Sequence, residues 1–476
     1  MAPSNVDPID RGERRHKNEA TLDSSVLALT PENSVPEDLP PRDSGIAAWS
    51  LLASLSFILM ITWGFGSASG VFREYYFKHP PMAGNQLVAS IGVMIVLKLL
   101  INSDSYEQGI LQIMSPLLLR FLGRRPHQRK TMMWAGMALV AASSIGAAFS
   151  KTPLQVIMTQ GLLYGIGSGL LFAPSMSFID EWFLERRGLA NGLFFGSNNI
   201  AAAGFSPVFS LVLERWGPRT VLTAWAILAA SVISLCILFV RPRLTKYDET
   251  TAEVSWGSFK KPLFWLFALS MTLQGLANFL PAAYLPSYAT DVGVPTTQGA
   301  LLITYLSLSG MIGQSLLGAL TDAVGALIPL LLSTLVSTFA IVVLWGLGQA
   351  YWTMVLLSIL FGAFSFSFVV LRSHMAAAVV GDQDHPNDEL VVSGALLSIR
   401  GLAAVASGYI GAAVVASGEN LGVQPGFGAG KWRPLIITLG VLMFGATVGA
   451  LGFLKKERRM IKVAKKDDRE TRSPQN

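Results

Sequence analysis

The sequence predicts an all-α membrane protein, with twelve transmembrane helices in two six-helix bundles. Three observations carry that expectation. Charged residues are 14% of the 476 and hydrophobic residues 51%, against about 25% charged in soluble proteins. Mean hydropathy is +0.49, so too few charges exist to cover a soluble surface of this size. Apolar stretches of the ~20 residues needed to cross ~30 Å of hydrocarbon follow one another from residue 46 to 454. The longest polar break between them, residues 241–261, RPRLTKYDETTAEVSWGSFKK, falls midway.

The order along the chain is then as follows. Residues 1–45 are rich in Pro, Ser, Asp, Glu and Arg and read as a disordered tail. No cleavable signal is expected, because the first apolar stretch is too long for one. The spans read as 46–72, 87–119, 131–150, 154–180, 188–213 and 219–240 for the first bundle, 46–240. After the linker 241–261, the second bundle, 262–454, holds 262–289, 298–321, 325–347, 351–379, 390–417 and 432–454. Residues 455–476 form a basic tail. With both tails cytoplasmic, the inside loops carry thirteen Lys and Arg and the outside loops seven, which fixes the orientation. The net charge of +6 therefore reflects topology, not a nucleic-acid partner. The single cysteine, Cys236, can form no bridge within the chain. No Walker loop, G-x-S-x-G elbow or zinc spacing occurs, so neither an enzyme nor a metal or cofactor site is expected.

One loop pattern appears twice. Gly318-Ala-Leu-Thr-Asp322-Ala-Val-Gly325 lies between spans eight and nine, and Pro116-Leu-Leu-Leu-Arg120-Phe-Leu-Gly123-Arg124-Arg125 lies between spans two and three. Glycine lets helix ends approach closely, and an aspartate can cap a helix N-terminus. A second pattern opens span five: Trp182-Phe183-Leu-Glu-Arg186-Arg187-Gly188-Leu-Ala-Asn-Gly192, continuing to Gly196-Ser197. Before span one stands Asp43-Ser-Gly45-Ile-Ala-Ala48-Trp49. Span four carries Gly165, Gly167, Gly169 and Pro174, and Trp134-Ala-Gly136 follows a basic loop.

The loop pattern resembles the G-x-x-x-D-x-x-G motif of the major facilitator superfamily. Pro116 and Arg120 depart from it in the first copy. The span-five pattern resembles the W-F-x-x-R-R-x-L-A-x-G-x-x-x-G-S signature of the monocarboxylate-transporter-like family, and the whole looks closest to its fungal branch. The resemblance covers residues 43–454. It implies the major facilitator fold working by alternating access, with Gly318, Asp322, Gly325, Gly123, Arg124 and Arg125 as the gating motif. It also implies that helices one, four, seven and ten line the cavity.

Polar residues inside spans are costly and tend to be functional. Arg400 stands deep in span eleven, where an anionic solute or a carboxylate would be its partner. Gln274, Asn278 and Tyr284 lie on span seven, which Pro281 and Pro286 interrupt. Asn198 lies on span five, and Gln160 and Tyr164 on span four. Of these, Arg400, Asn278, Tyr284, Asn198 and Tyr164 are the candidate substrate contacts. Gly161, Gly165 and Gly169, like Gly188, Gly192 and Gly196, recur every four residues and predict close-packing helix faces. Arg372 and His374, near Asp382, Asp384 and His385, read as a solvated cytoplasmic loop, with a proton-sensing pair as the alternative. The Lys of span one and the Asp–Arg pair of span eight, which serve lactate–proton symport in the mammalian-type carriers, are missing.

Residues 93–108, VMIVLKLLINSDSYEQ, put Lys98, Asp104 and Glu107 inside span two, each costing ~2.5–3.5 kcal/mol at a helix centre. Retained intron sequence or a shifted splice site explains this segment; a real insertion is the alternative. The function expected is secondary active or facilitative transport of a small organic solute, a weak organic anion or an amphipathic metabolite, with export of a pathway metabolite one form of it. Monocarboxylate-type nutrient uptake and a non-transporting solute-sensing receptor are the alternatives. The expected setting is a monomer in the plasma-membrane bilayer, with a proton as candidate coupling ion.

Overall fold

Lipid offers the backbone no hydrogen-bond partner, so a chain that crosses it must satisfy its own N–H and C=O groups. This chain does so with helices. The structure, a computed structural model, describes residues 40–67, 71–72, 75–76, 79, 118, 121, 125–243, 256–381 and 386–454. Its long helices are α1 (Gly45–Ser67), α2 (Arg129–Ala148), α3 (Pro153–Trp182), α4 (Arg187–Phe239), α5 (Pro262–Asp291), α6 (Thr296–Val324), α7 (Leu327–Trp345), α8 (Tyr351–Val380), α9 (Pro386–Gly418) and α10 (Arg433–Leu454). Among the described residues, 10 helical segments are long and apolar enough to cross a membrane.

Helix α4 has 53 residues, about 80 Å at 1.5 Å each, too long for one crossing. It turns back at Gly217 (φ 72, ψ 166), just before Pro218. Only glycine adopts that φ freely, and the proline cannot continue the first segment. The two arms of α4 are the expected spans five and six. The expected span two and its segment 93–108 lie outside the described residues, apart from Leu118. Helix α5 is interrupted at Phe279, between segments Pro262–Asn278 and Leu280–Asp291, because Pro281 has no N–H to carry the ladder through.

Residues from 48 to 240 supply one apolar core, centred on Phe65, Phe172 and Phe194. Residues from 264 to 450 supply two more, one around Tyr288, Trp345 and Trp432 and one around Phe267, Phe368 and Leu396. Val369, Val370, Leu390 and Leu397 join the first core instead, so α8 and α9 carry the contact between the two halves. Leu235, Leu238, Ile312, Leu316 and Val441 point outward and exposed, as a lipid-facing surface requires.

A second contact between the halves is built on backbone. Along α4, Gly188 lies against the carbonyl of Gly318 of α6, Gly192 against Gln314 and Ser315, and Gly196 against Met311. A side chain at any of the three would meet backbone of α6. Asp322 closes this seam. Its Oδ1 accepts from Gly188 N at 2.7 Å and its Oδ2 from Leu189 N at 2.8 Å. Both are among the unsatisfied donors of the α4 N-terminus, where a negative charge is favoured. Arg187 adds a charge bridge at the same end, donating from Nε to Asp180 Oδ1 at 2.8 Å and pairing with Glu389 of α9. Burial works against its charge, but Asp180 and Glu389 outweigh that and hold the guanidinium above its ordinary range.

The glycine pattern on α3 is corrected by the structure. Gly161 has open space around it, and the close crossing is made by Gly167 against Gly136 and Val140 of α2. A π-helical turn spans Ile157–Leu163. Gly161 lies within that turn, and Gly165 and Gly169 lie beyond it in regular α-helix.

Asp43 holds the chain that enters α1 onto the loop between α3 and α4. Its amide donates to Trp182 O at 3.0 Å, and its carboxylate accepts from Leu184 N and Arg186 N at 2.9 and 2.8 Å. The residue sits at φ 57, which aspartate tolerates better than most. Trp182 in turn donates from Nε1 to Arg241 O at 3.0 Å.

Two predictions test the seam. Gly192→Val forces a side chain into the Gln314 backbone and should cost about 1–3 kcal/mol, read as a lowered melting temperature. Gly204→Ala, in open space, should leave the melting temperature unchanged; an equal loss for both would reject the close crossing. Asp322→Ala uncovers two donors, each at about 1–3 kcal/mol, and should loosen the end of α4. A cysteine at position 189 should then react faster with an impermeant maleimide than the same cysteine beside an intact Asp322.

Candidate functional site: two buried arginines between the halves

Arg400 is buried near the middle of α9. Its Nε donates to Gln274 Oε1 at 3.0 Å, and its guanidinium lies 5.2 Å from the ring centre of Phe279. Gln274 Nε2 donates to Ser365 O at 2.9 Å. The Asn278 amide lies against the same group: its Oδ1 accepts from Gln274 Nε2 at 3.0 Å and from Ser365 Oγ at 2.7 Å, and with the amide turned over its oxygen accepts from Arg400 Nη2 at 3.1 Å instead. Gln274 and Asn278 stand one helical turn apart on α5, so both reach the same side. The α5 interruption at Phe279 falls right beside them. The result is a cation held by two amides, with Ser365 of α8 bracing them. Among the described residues no carboxylate contacts Arg400. Amides satisfy donors but do not cancel charge, so the site stays electropositive.

Arg372 departs from the sequence expectation. It is 1% exposed, not in a solvated loop. Helix α8 runs on past it to Val380, through a 3₁₀ stretch at Phe366–Leu371. Its Nη2 lies 3.9 Å from Met176 Sδ, and the guanidinium stands 5.6 Å from the ring centre of Phe195. Both partners belong to the first half. Its Nε has no hydrogen-bond partner. The charge of Arg372 acts on Arg400, so two like charges share one desolvated interior. His374, two residues on, lies with Nε2 3.8 Å from Asp322 Oδ1. Residues 382–385, expected near it, lie outside the described residues.

The other expected contacts do not gather around Arg400. Tyr164 is packed in the first core, with its ring 4.7 Å from Phe65 and its hydroxyl donating to Ile61 O at 3.4 Å. Tyr284 stands against Trp432 at 6.0 Å and beside Gly411, in the aromatic group that includes Tyr288. Asn198 leaves its Oδ1 buried without a partner, while its neighbour Asn199 donates to Gln314 Oε1 across the seam at 3.1 Å. Gln160 likewise has a buried, unpartnered Oε1. Of the gating motif, Gly318 and Asp322 form the seam, and Gly325 ends α6 at φ 82. Arg125 lies over the Phe121 ring at 5.6 Å; Gly123 and Arg124 lie outside the described residues. Of the span-five pattern, Phe183 packs edge-on to Trp49 at 5.5 Å, and Arg186 contributes its backbone to Asp43.

An apolar groove of about 300 Å³ opens beside the seam, with Trp49, Leu52, Phe57, Met60, Leu193 and Met311 in its wall. No charged residue lines it, so it is separate from the arginine site. Among the described residues, no group of three or more His, Cys, Asp and Glu is placed to hold a metal ion.

Comparison with known proteins agrees with this architecture. A family model described as Major Facilitator Superfamily matches residues 88–408. The chain is 27% identical over 314 residues to the MFS-type transporter pytF of Aspergillus terreus, covering 64% of this chain and 99% of pytF. It is 24% identical over 442 residues to the aspyridones efflux protein apdF of Emericella nidulans, covering 90% and 83%. It is 26% identical over 351 residues to monocarboxylate transporter 13 of Rattus norvegicus, covering 72% and 77%. An all-helical bundle in two halves, a glycine-built seam between them and a family match over most of the length lead to one conclusion: the chain belongs to the Major Facilitator Superfamily and is a membrane transporter, not an enzyme.

Proposed function

We propose that this transporter moves a weak organic anion with an apolar body, by alternating access, and that Arg400 holds the anionic group. The observation that carries this is the pairing of Arg400 with amides and no carboxylate. A guanidinium is always charged, and leaving one uncompensated inside a membrane protein is costly unless a ligand completes it. Gln274 and Asn278 orient the fork; the anion supplies the missing charge through a charge-assisted hydrogen bond. The aromatic and aliphatic residues around it suit an amphipathic body better than a small hydrophilic one.

The seam end of the bundle is the cytoplasmic gate in this reading, with both chain termini on that side, in the plasma membrane. Closing and opening the α4–α6 contact would alternate access to Arg400 without bond chemistry. Export is the favoured direction, because one relative is named for the efflux of aspyridones. A proton is the candidate coupling ion, and a monomer the working unit.

Comparing metabolites inside and outside deletion and wild-type cells identifies the solute. Purified protein in liposomes should then move it without ATP. Arg400→Ala should lower that flux at least tenfold, as expected for loss of a charge-assisted bond worth about 1.5–3 kcal/mol. Unchanged flux would remove Arg400 from the site, and binding without flux would favour a solute sensor.

A further inference from the structure

The contacts Arg372 makes do not require an arginine. Its five N–H donors meet one thioether sulfur and one ring face, and no oxygen among the described residues. The nearby acid Asp180 bonds Arg187 through Oδ1 and leaves Oδ2 buried without a hydrogen-bond partner; no hydrogen bond or ion pair joins it to Arg372 among the described residues. A leucine or methionine would pack against Met176 and Phe195 without any desolvation cost. Natural cores place a buried cation without a partner where a ligand supplies one, since the unpaired charge is otherwise destabilising.

Its place along the helices matters. Arg372 is eight residues from the seam end of α8, roughly 12 Å at 1.5 Å per residue. Arg400 is fourteen residues into α9 from the same end, roughly 21 Å. The two guanidiniums therefore stand in succession, Arg400 near the centre and Arg372 nearer the seam. The 3₁₀ stretch Phe366–Leu371 leads straight into Arg372, and such mid-helix turns mark places where a helix can adjust. Arg372 is covered from the other half by Met176 of α3 and Phe195 of α4. Parting the halves at the seam end removes that cover and leaves its donors facing the opened space.

We propose that Arg372 is a second anion-binding residue, which takes the carboxylate or enolate of an amphipathic solute when the seam opens and passes it to or from Arg400. This rests on the anion-transport reading above. The guanidinium fork suits a planar two-oxygen group held bidentately, and the Phe195 and Met176 surroundings suit an apolar body beside it. The mutual repulsion of the two cations keeps an anion bound at one from being held too tightly to move on.

The test compares melting temperatures of purified wild-type, Arg372→Met, Arg372→Lys and Arg400→Met protein. Each is measured alone and with acetate, succinate, benzoate or 1-naphthoate, against the matching amides. The proposal expects Arg372→Met to melt at or above the wild-type temperature, because an uncompensated charge has been removed. It also expects at least one acid to raise the wild-type melting temperature more than its amide, and that difference to be lost in Arg372→Met and partly kept in Arg372→Lys. A marked fall in the melting temperature of Arg372→Met would make Arg372 structural and overturn the proposal. An acid-specific shift kept in Arg372→Met but lost in Arg400→Met would overturn it while leaving the anion reading intact. No acid-specific shift in the wild type would overturn both.

Discussion

A guanidinium keeps its proton at any physiological pH, so each arginine buried in this bundle must have its charge answered. At the seam end the answers are carboxylates: Glu181 for Arg129 at 2.5 Å, and Asp180 with Glu389 for Arg187. Deeper in, they change. Arg372 meets a sulfur and a ring, and Arg400 meets two amides. Charges are paired where the two halves lock together and left unpaired along the line between that lock and the centre. In the function proposed above, that gradient would separate residues that hold the transporter closed from residues that meet the solute.

The lock itself is suited to opening. Helices α4 and α6 touch through Gly188, Gly192, Gly196 and Gly318, where backbone lies directly on backbone. What holds it is directional and exchangeable: Asp322 on two amides of the α4 N-terminus, Arg187 on Glu389, and Asn199 on Gln314. Water can replace each of these bonds at modest net cost, so a few small free energies can set the balance between open and closed forms. Asp43 acts differently. It ties residues of the first half to one another, so its contact lies within that half and not across the seam.

The sequence made the helices legible because lipid imposes a length and an apolar composition on each crossing. It made Arg400 legible for the same reason, since a lone cation stands out against Ala, Leu and Ile. Gln274 and Asn278 were legible as a pair four apart on one helix. Arg372 was not. It stands inside the expected span 351–379, but a cation so close to the end of a span reads as solvated; what buries it is the cover of Met176 and Phe195 from the first half, which no local pattern shows. The Gly161, Gly165, Gly169 pattern was misread for another reason. Counting by fours names a face but not where the neighbouring helix crosses, and the close crossing is made by Gly167, off that count. Which polar side chains find partners across the halves, as Asn199 does and Asn198 does not, depends on tertiary placement that no local pattern encodes.

The central claim is that the solute is recognised through its negative charge. Competition in the reconstituted flux assay tests this without altering the protein. A sulfonate analogue of the transported solute, permanently charged, should inhibit with an affinity near that of the solute itself. Its carboxamide, matched in shape but neutral, should inhibit at least tenfold more weakly, the equivalent of about 1.4 kcal/mol. Equal inhibition by the sulfonate and the amide would show that shape alone is read, and would contradict the account.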